Sequence, residues 1–224
     1  MTATTLHKNE LGYGFYTYAD IAQLLGLPRA KVNRYLSQYW DERLGKTLFS
    51  DSFSWQTQND VKAVNFYVLI ELYICFQLQE LGVNPKQILK AREAITKDTG
   101  LNYPFATQDI LSDGRKIFYQ LDDAMVNADG TRQSNLIKIL KAFTQKIDFN
   151  AGLAERFYPL QDSKNIVIDP HHQFGQPVIS GTNINAELIY SMFKSGESVE
   201  TLSFLYELNI CQVNDAIKFY QKAA

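Results

Sequence analysis

Two short runs of apolar residues at helical spacing form the first pattern in the chain, over residues 17–39. Thr17 is a suitable N-cap, and Asp20 three residues later completes a variant of the capping box. Gly26 breaks the first run, and Pro28 precedes the second. The pattern therefore predicts two short helices that are joined by a glycine turn.

The spacing around this turn is typical of a helix-turn-helix motif. Small Ala22 stands four residues before Gly26, where the helices approach closely, and Val32 stands six residues after it. The polar residues between the apolar positions would face outward, and long cations and an amide suit phosphates and base edges. A surface helix pair with a solvated basic face is the alternative. The candidate DNA-binding residues are Arg29, Lys31, Asn33, Arg34 and Ser37.

The next segments predict a hairpin and then a long buried helix. Aromatic runs at 46–49 and 53–56 surround a Ser-Asp-Ser turn, and a hairpin at this place is a candidate wing. Residues 61–81 are apolar almost all round a helix, which predicts either burial on most sides or a dimer interface. An Asn-Pro pair at 84–85 predicts the start of a further helix that ends near Lys97.

The spacing of apolar residues changes in the middle of the chain. Residues 110–121 predict a hairpin around an Asp-Gly turn, and a second Asp-Gly pair follows at 129–130. Residues 136–147 again have helical spacing. Residues 150–163 contain few periodic apolar positions, so a domain boundary is expected near Asp162.

The C-terminal segment predicts a short strand at 166–168 and helices over 186–194, 199–206 and about 211–221. The last two helices resemble a second, looser helix-turn-helix, because Glu207 stands where a turn glycine is expected. The polar face of the last helix is hardly basic, which favours a protein-binding or dimerising role over DNA contact. The positions expected to form the core of this domain are Leu202, Leu205, Tyr206, Val213, Ile217 and Phe219.

These elements together predict a mainly α fold with small β-hairpins. An N-terminal winged helix-turn-helix region with long helices is expected over residues 12–100. A middle α+β segment with a hairpin and a helix follows over 101–162, and a C-terminal three-helix, helix-turn-helix-like domain over 163–224.

Composition and charge exclude several classes of protein. The chain has 224 residues, of which 46% are hydrophobic and 21% charged, as in ordinary globular proteins. A net charge of −2 excludes a strongly basic nucleic-acid binder but does not exclude a local basic helix. Two cysteines, Cys75 and Cys211, exclude a disulfide scaffold. With no apolar leader and no apolar run of about 20 residues, we expect a soluble, cytoplasmic protein.

The chain offers little that suggests catalysis. His171 and His172 beside Asp169 are a weak candidate for a metal site, because adjacent side chains point in different directions. A carboxylate pair at 122–123 has no basic partner at a useful spacing, and no phosphate-binding loop or nucleophile elbow occurs. We therefore expect no enzyme activity, no cofactor and no metal.

Residues 166–184 resemble a small bacterial antitoxin-like domain family. The family pattern is a short strand, Asp-Pro, Gly-x-Pro, an apolar pair and Gly-Thr. Asn183 stands where that family usually has an arginine. The resemblance extends roughly over residues 164–221, and the matching positions are Asp169-Pro170, Gly175, Pro177, Val178-Ile179, Gly181-Thr182 and Ile184.

Residues 15–97 look like a MerR-type winged helix-turn-helix, and the two halves together resemble VapB-like antitoxins. Such proteins are usually paired with a PIN-like ribonuclease toxin. The resemblance implies that the chain binds this toxin and also binds operator DNA, repressing transcription of its own gene pair. A homodimer is expected, because a helix-turn-helix reads two half-sites about one DNA turn apart.

The toxin contact is expected in the C-terminal domain, within residues 164–224, with residues 1–100 dispensable. This domain has few cations, so shape and apolar burial would carry the contact. The candidate partner-binding residues are Tyr190, Phe193, Phe204 and Tyr206. The alternative function is a MerR-like ligand-sensing transcriptional regulator, in which the aromatic segment 103–119 forms the pocket.

Overall fold

The computed structural model describes residues 14–38, 54–56, 62–109, 140 and 142–222. Within these ranges the protein is mainly helical, and its strands form three small antiparallel sheets. The predicted fold class, mainly α with small β-hairpins, is confirmed at this level. None of the helices in these ranges has the length and apolar character that crossing a bilayer requires.

The first helical pair consists of α1 (Tyr18–Leu25) and α2 (Arg29–Tyr35). Both halves of the predicted capping box are present: the Thr17 hydroxyl accepts from the Asp20 amide at 3.1 Å, and the Asp20 carboxylate accepts from the Thr17 amide at 2.8 Å. Gly26 ends α1 with φ of +63°, a left-handed conformation that glycine adopts without strain. The predicted pair of helices around a glycine turn is confirmed.

A three-stranded sheet stands beside this pair, with β1 (Tyr16–Thr17), β2 (Ser54–Gln56) and β3 (Lys62–Val64) in the order β1-β3-β2. The second half of the predicted hairpin is therefore a strand, and β3 is its described neighbour. The first half, residues 46–49, lies outside the described residues, as do the hairpin at 110–121 and the turn at 129–130.

Helix α3 (Phe66–Glu80) is shorter than predicted. The prediction of a helix over 61–81 is wrong at its start, because residues 62–64 pair with two strands and Asn65 then caps the helix by accepting from the Val68 amide at 3.0 Å. Twelve of its 15 residues are buried. This chain alone buries them, so the apolar character of α3 does not require a dimer interface.

Helix α4 (Pro85–Thr99) begins and ends as its sequence signals predict. The Asn84 side chain accepts from the Lys86 amide at 2.9 Å, and Gly100 terminates the helix with φ of +72°. An ion pair between fully buried Arg92 and Glu71 joins α4 to α3. Arg92 also donates to the carbonyl of Asn102 at 2.7 Å, and the Phe105 amide donates to Glu71 at 3.0 Å. These contacts connect α3, α4 and the chain that follows α4.

Strands β4 (Ile147–Asn150) and β5 (Leu153–Phe157) form a hairpin that the sequence reasoning missed. The predicted helix over 136–147 ends earlier, since residues 142–144 are helical and Ile147 starts β4. The unpatterned segment predicted from 150 onward is largely the second strand and its turn. Ala151 and Gly152 have φ of +48° and +83°, and positive φ at both central residues is what a type I′ hairpin turn requires.

The C-terminal elements are β6 (Ile166–Val167), β7 (Val178–Ile179), α5 (Ala186–Lys194), α6 (Val199–Leu205) and α7 (Ile210–Lys222). The three predicted helices are confirmed to within about one residue at each end. One hydrophobic core runs from the N-terminal to the C-terminal elements and includes residues of α1, α3, β5 and α7.

Candidate functional site

The outer face of α2 holds three exposed polar side chains, those of Arg29, Asn33 and Arg34. The other two candidate DNA-binding residues are half-buried. The Lys31 ammonium lies 5.0 Å from the centroid of the Phe76 ring, and the Ser37 hydroxyl donates to the carbonyl of Asn33 at 2.7 Å. The structure thus leaves two guanidinium groups and one amide of α2 exposed to solvent.

The inner face of α2 fixes this surface relative to α3. Val32 is fully buried, and the Tyr35 ring packs on Phe76 with 5.2 Å between centroids. Burial raises the pKa of the Tyr35 hydroxyl and raises the pKa of the neighbouring Cys75 thiol to about 12. Both groups are therefore neutral, and Cys75 behaves as a small buried apolar residue rather than as a nucleophile.

The second helical pair, α6 and α7, repeats the geometry of the first. Ser203 takes the place of Ala22: the Leu27 amide donates to the Ala22 carbonyl at 2.8 Å, and the Leu208 amide donates to the Ser203 carbonyl at 3.0 Å. Val213 is fully buried at the same spacing as Val32. The two pairs therefore have the same register from the small packing residue to the core of the second helix.

Glu207 occupies the turn position of the second pair and has φ of +52°, close to the +63° of Gly26. The missing glycine, which made the sequence match look looser, does not alter the backbone path. The start of the pair is matched as well, since the Ser198 hydroxyl accepts from the Thr201 amide at 3.1 Å, as Thr17 does from Asp20.

A glutamate in the left-handed backbone conformation lowers the stability of the fold by a measurable amount, so a glycine substitution tests this turn directly. Replacing Glu207 by glycine should raise the free energy of unfolding by about 0.5–1 kcal/mol, because glycine adopts this conformation without steric strain. Glu200→Gly within α6 is the matched control and should lower the free energy of unfolding by a similar amount. Urea denaturation measures both. Equal signs for the two variants would contradict this interpretation of the turn.

The outward faces of α2 and α7 differ in charge although their backbones correspond. Ile210 and Asp215 stand at the positions that Arg29 and Arg34 occupy in α2. The Asp215 carboxylate accepts from the Ser163 hydroxyl at 2.5 Å and from the Asn165 amide group at 2.7 Å. The second pair therefore has no cation at the two positions where the first presents guanidinium groups.

The four candidate partner-binding residues do not form one exposed cluster. Tyr190 stacks on Tyr220 with 5.5 Å between centroids, the Tyr206 hydroxyl contacts the Met192 sulfur at 2.9 Å, and Phe193 packs partly against the core. Phe204, in contrast, is 84% exposed.

Two further apolar residues lie close to Phe204 in the chain, on either side of the α6–α7 turn. Leu205 is 56% exposed and Ile210 is 51% exposed. The prediction that Leu205 belongs to the core is wrong, because it is the last residue of α6 and more than half of its surface is exposed. We call Phe204, Leu205 and Ile210 the turn patch. The sequence analysis names Phe204 as a candidate partner-binding residue, but it gave no signal for Leu205 and Ile210, which are apolar residues that suit a core.

The glycine-rich motif after β6 is a structural turn. The Asp169 carboxylate accepts from Arg156 Nε at 3.0 Å and from the His171 amide at 2.9 Å. The Thr182 hydroxyl donates to the Ile179 carbonyl at 2.8 Å. Asn183 is exposed. No group of three His, Cys, Asp or Glu side chains within the described ranges is placed to hold a metal ion.

The whole fold matches that of a solved protein structure. The X-ray crystal structure of Rv2018 from Mycobacterium tuberculosis has a TM-score of 0.71 and covers 93% of this chain and 98% of that chain, at 19% sequence identity. The two proteins therefore share a fold.

Sequence comparisons add a family and a relative. The model of the family described as "Protein of unknown function (DUF433)" matches residues 166–220. A protein of Mycobacterium tuberculosis (strain ATCC 25618 / H37Rv) named "Putative antitoxin VapB45" is 23% identical over 166 residues, 68% of this chain and 69% of that protein. The chain is thus a distant relative of a protein named as an antitoxin, and the resemblance to antitoxins is confirmed at that level.

Proposed function

We propose that this chain is the antitoxin of a type II toxin–antitoxin pair, neutralising a PIN-like ribonuclease and repressing its own operator. The observation that carries the proposal is the contrast between two helical pairs of the same geometry. The first presents Arg29, Asn33 and Arg34 to solvent, whereas the second presents the apolar turn patch. The name of the distant relative supports the toxin partner.

In this proposal the first pair is a winged helix-turn-helix, with α2 as its recognition helix. Arginine pairs with guanine and asparagine with adenine in the major groove, so the exposed face of α2 has suitable chemistry for base contacts. Strands β2 and β3 stand where a wing is expected. Two copies of the chain would place two α2 helices on neighbouring half-sites of the operator.

Replacing Asn33 or Arg34 by alanine should weaken operator binding by about 1–3 kcal/mol if the side chain contacts a base. Both side chains are exposed, so the variants should keep the stability of the wild type. Band-shift titration against the DNA upstream of the protein's own gene, at two salt concentrations, measures the effect. Lys90→Ala, an exposed cation on α4, is the matched control.

Two results would contradict the DNA-binding proposal. Failure of the wild type to bind its upstream DNA would remove the repressor role. Equal losses of operator affinity for Lys90→Ala and Arg34→Ala would show that only the overall charge of the protein matters. That result would contradict a recognition helix at α2.

The toxin contact is proposed for the turn patch, with Phe204 as its anchor. Interface anchors are typically aromatic side chains that become desolvated on binding, and Phe204 has nearly all its surface available for this. Because the core is continuous between the halves, separated halves would expose core residues such as Tyr16 and Tyr220. Point variants of the full chain are therefore the sharper test.

A further inference from the structure

The two helical pairs of matching geometry carry opposite charge. Residues 17–38, which contain the first pair, include three cations and one acid, whereas the corresponding residues 198–219 include one cation and three acids. Because the two backbones correspond, the difference lies in the side chains and not in the fold. A basic partner surface therefore suits the second pair. The charged residues are Arg29, Lys31, Arg34 and Asp20 in the first range, and Lys218, Glu200, Glu207 and Asp215 in the second.

Two of these acids lie next to the turn patch. Glu200 is in the first turn of α6, four residues before Phe204, so the two side chains are neighbours on one face of that helix. Glu207 is in the turn itself, between Leu205 and Ile210 in the chain. Both acids are exposed, and neither forms an ion pair within the described part of the chain. The turn patch is thus an exposed apolar surface with uncompensated negative charge beside it.

This combination defines the chemistry of the partner surface: an apolar pocket for Phe204 with Lys or Arg side chains at its rim. We infer that the turn patch covers the surface on which the ribonuclease toxin binds the phosphates of its RNA substrate. A protein that binds single-stranded RNA has cations along that surface, and a carboxylate placed against them takes the position of a phosphate. The inference rests on the proposed antitoxin function and adds that the chain neutralises the toxin by competing with RNA.

The association kinetics of the full chain with the toxin test this inference, because charges at the rim of an interface act mainly on the association rate. A variant with Glu200→Gln and Glu207→Gln together should associate about three- to tenfold more slowly at low salt and dissociate at nearly the wild-type rate. Between about 50 and 500 mM salt, association should slow steeply for the wild type and much less for the double variant. Biolayer interferometry measures both rates.

A second double variant, with Glu187→Gln and Asp98→Asn, is the matched control. It removes the same amount of charge, and both residues are exposed acids outside the second pair. Glu187 also matches Glu200 in its position, since each lies in the first turn of its helix. The control should associate at the wild-type rate. An equal slowing in both double variants would show that only the overall charge of the chain matters, and it would overturn the inference.

Competition with RNA gives an independent measurement. A single-stranded RNA of about 12 nucleotides, with EDTA present to limit its cleavage, should displace the wild-type chain from the toxin. Simultaneous binding of RNA and the chain to the toxin would overturn the inference and leave the antitoxin proposal intact. Wild-type association by the Glu200→Gln and Glu207→Gln double variant would do the same. Failure of the wild type to bind the toxin would instead overturn the proposed function and this inference together.

Discussion

Replacing Arg92 by leucine is expected to lower the free energy of unfolding by about 3–5 kcal/mol. Arg92 and Glu71 are both fully buried, and Arg92 is the cation that faces the Glu71 carboxylate. Removing one partner of a buried ion pair leaves the other charge without compensation in a medium of low polarity. The effect should be large because the same two residues also hold Asn102 and Phe105 in place.

The pH dependence of the Arg92→Leu variant has a definite sign. Burial raises the pKa of Glu71, and Arg92 opposes this shift. Without Arg92, the pKa of Glu71 in the folded protein rises further above its value in the unfolded chain. The folded protein therefore favours the protonated Glu71 carboxyl. The loss of stability should therefore be smaller in acid and should grow as the pH rises through and above the ordinary carboxyl pKa of about 4.3.

Urea denaturation of three variants separates the buried pair from an ordinary ion pair. Arg156→Leu is the matched control: Arg156 lies 3.0 Å from Asp169 but is 47% exposed, so its loss should be below about 1 kcal/mol. A double variant with leucine at both 71 and 92 should recover much of the loss, because it leaves no unpaired charge. If Arg92→Leu lowers the free energy of unfolding no more than Arg156→Leu does, this account of the buried ion pair is wrong.

Local signals explain what the sequence could predict of this fold. The capping box at Thr17, the turn at Gly26 and the Asn-Pro start of α4 are each decided by residues within a few positions of one another. The partner of Glu71 lies 21 residues away on another helix, so the apolar pattern of α3 gave no means of finding it.

Two turns were not predicted correctly from the sequence, and the reason lies in the residue types that form them. The β4–β5 turn uses Ala151, a residue that seldom adopts positive φ, so the segment lacked the usual Asn-Gly or Asp-Gly signal. Glu207 likewise adopts the left-handed region without being glycine. There the contacts of Ser203 with Leu208 hold the chain in place, since the Ser203 hydroxyl also donates to the Leu208 carbonyl at 2.6 Å. Both turns therefore have a left-handed residue of a type that seldom adopts this conformation, and a sequence pattern built on Gly and Asn does not recognise it.

The candidate site was predictable only in part. The sequence predicts that Arg29, Asn33 and Arg34 face outward, and all three are exposed in the structure, whereas Val32 is buried. An excess of aromatic residues in the C-terminal domain did not predict which of them are exposed. The domain buries part of that excess by stacking Tyr190 on Tyr220, and this contact depends on how α5 and α7 pack.

Replacing Phe204 by alanine is expected to weaken toxin binding by about 2–4 kcal/mol, or roughly 30-fold or more in Kd. An aromatic ring that is 84% exposed in the free chain has little packing to lose, so the stability of the variant should stay close to that of the wild type. Biolayer interferometry with the product of the neighbouring gene measures the change.

Phe174 supplies a matched control for this experiment, since it is also a phenylalanine and is 83% exposed in another part of the same domain. Phe174→Ala should bind the toxin like the wild type, whereas Leu205→Ala and Ile210→Ala should give intermediate losses because they are the other exposed apolar residues of the turn patch. A loss with Phe174→Ala but not with Phe204→Ala would move the interface away from the turn patch. Wild-type affinity in all four variants would show that the toxin does not use this surface, and failure of the wild type to bind would remove the antitoxin proposal itself.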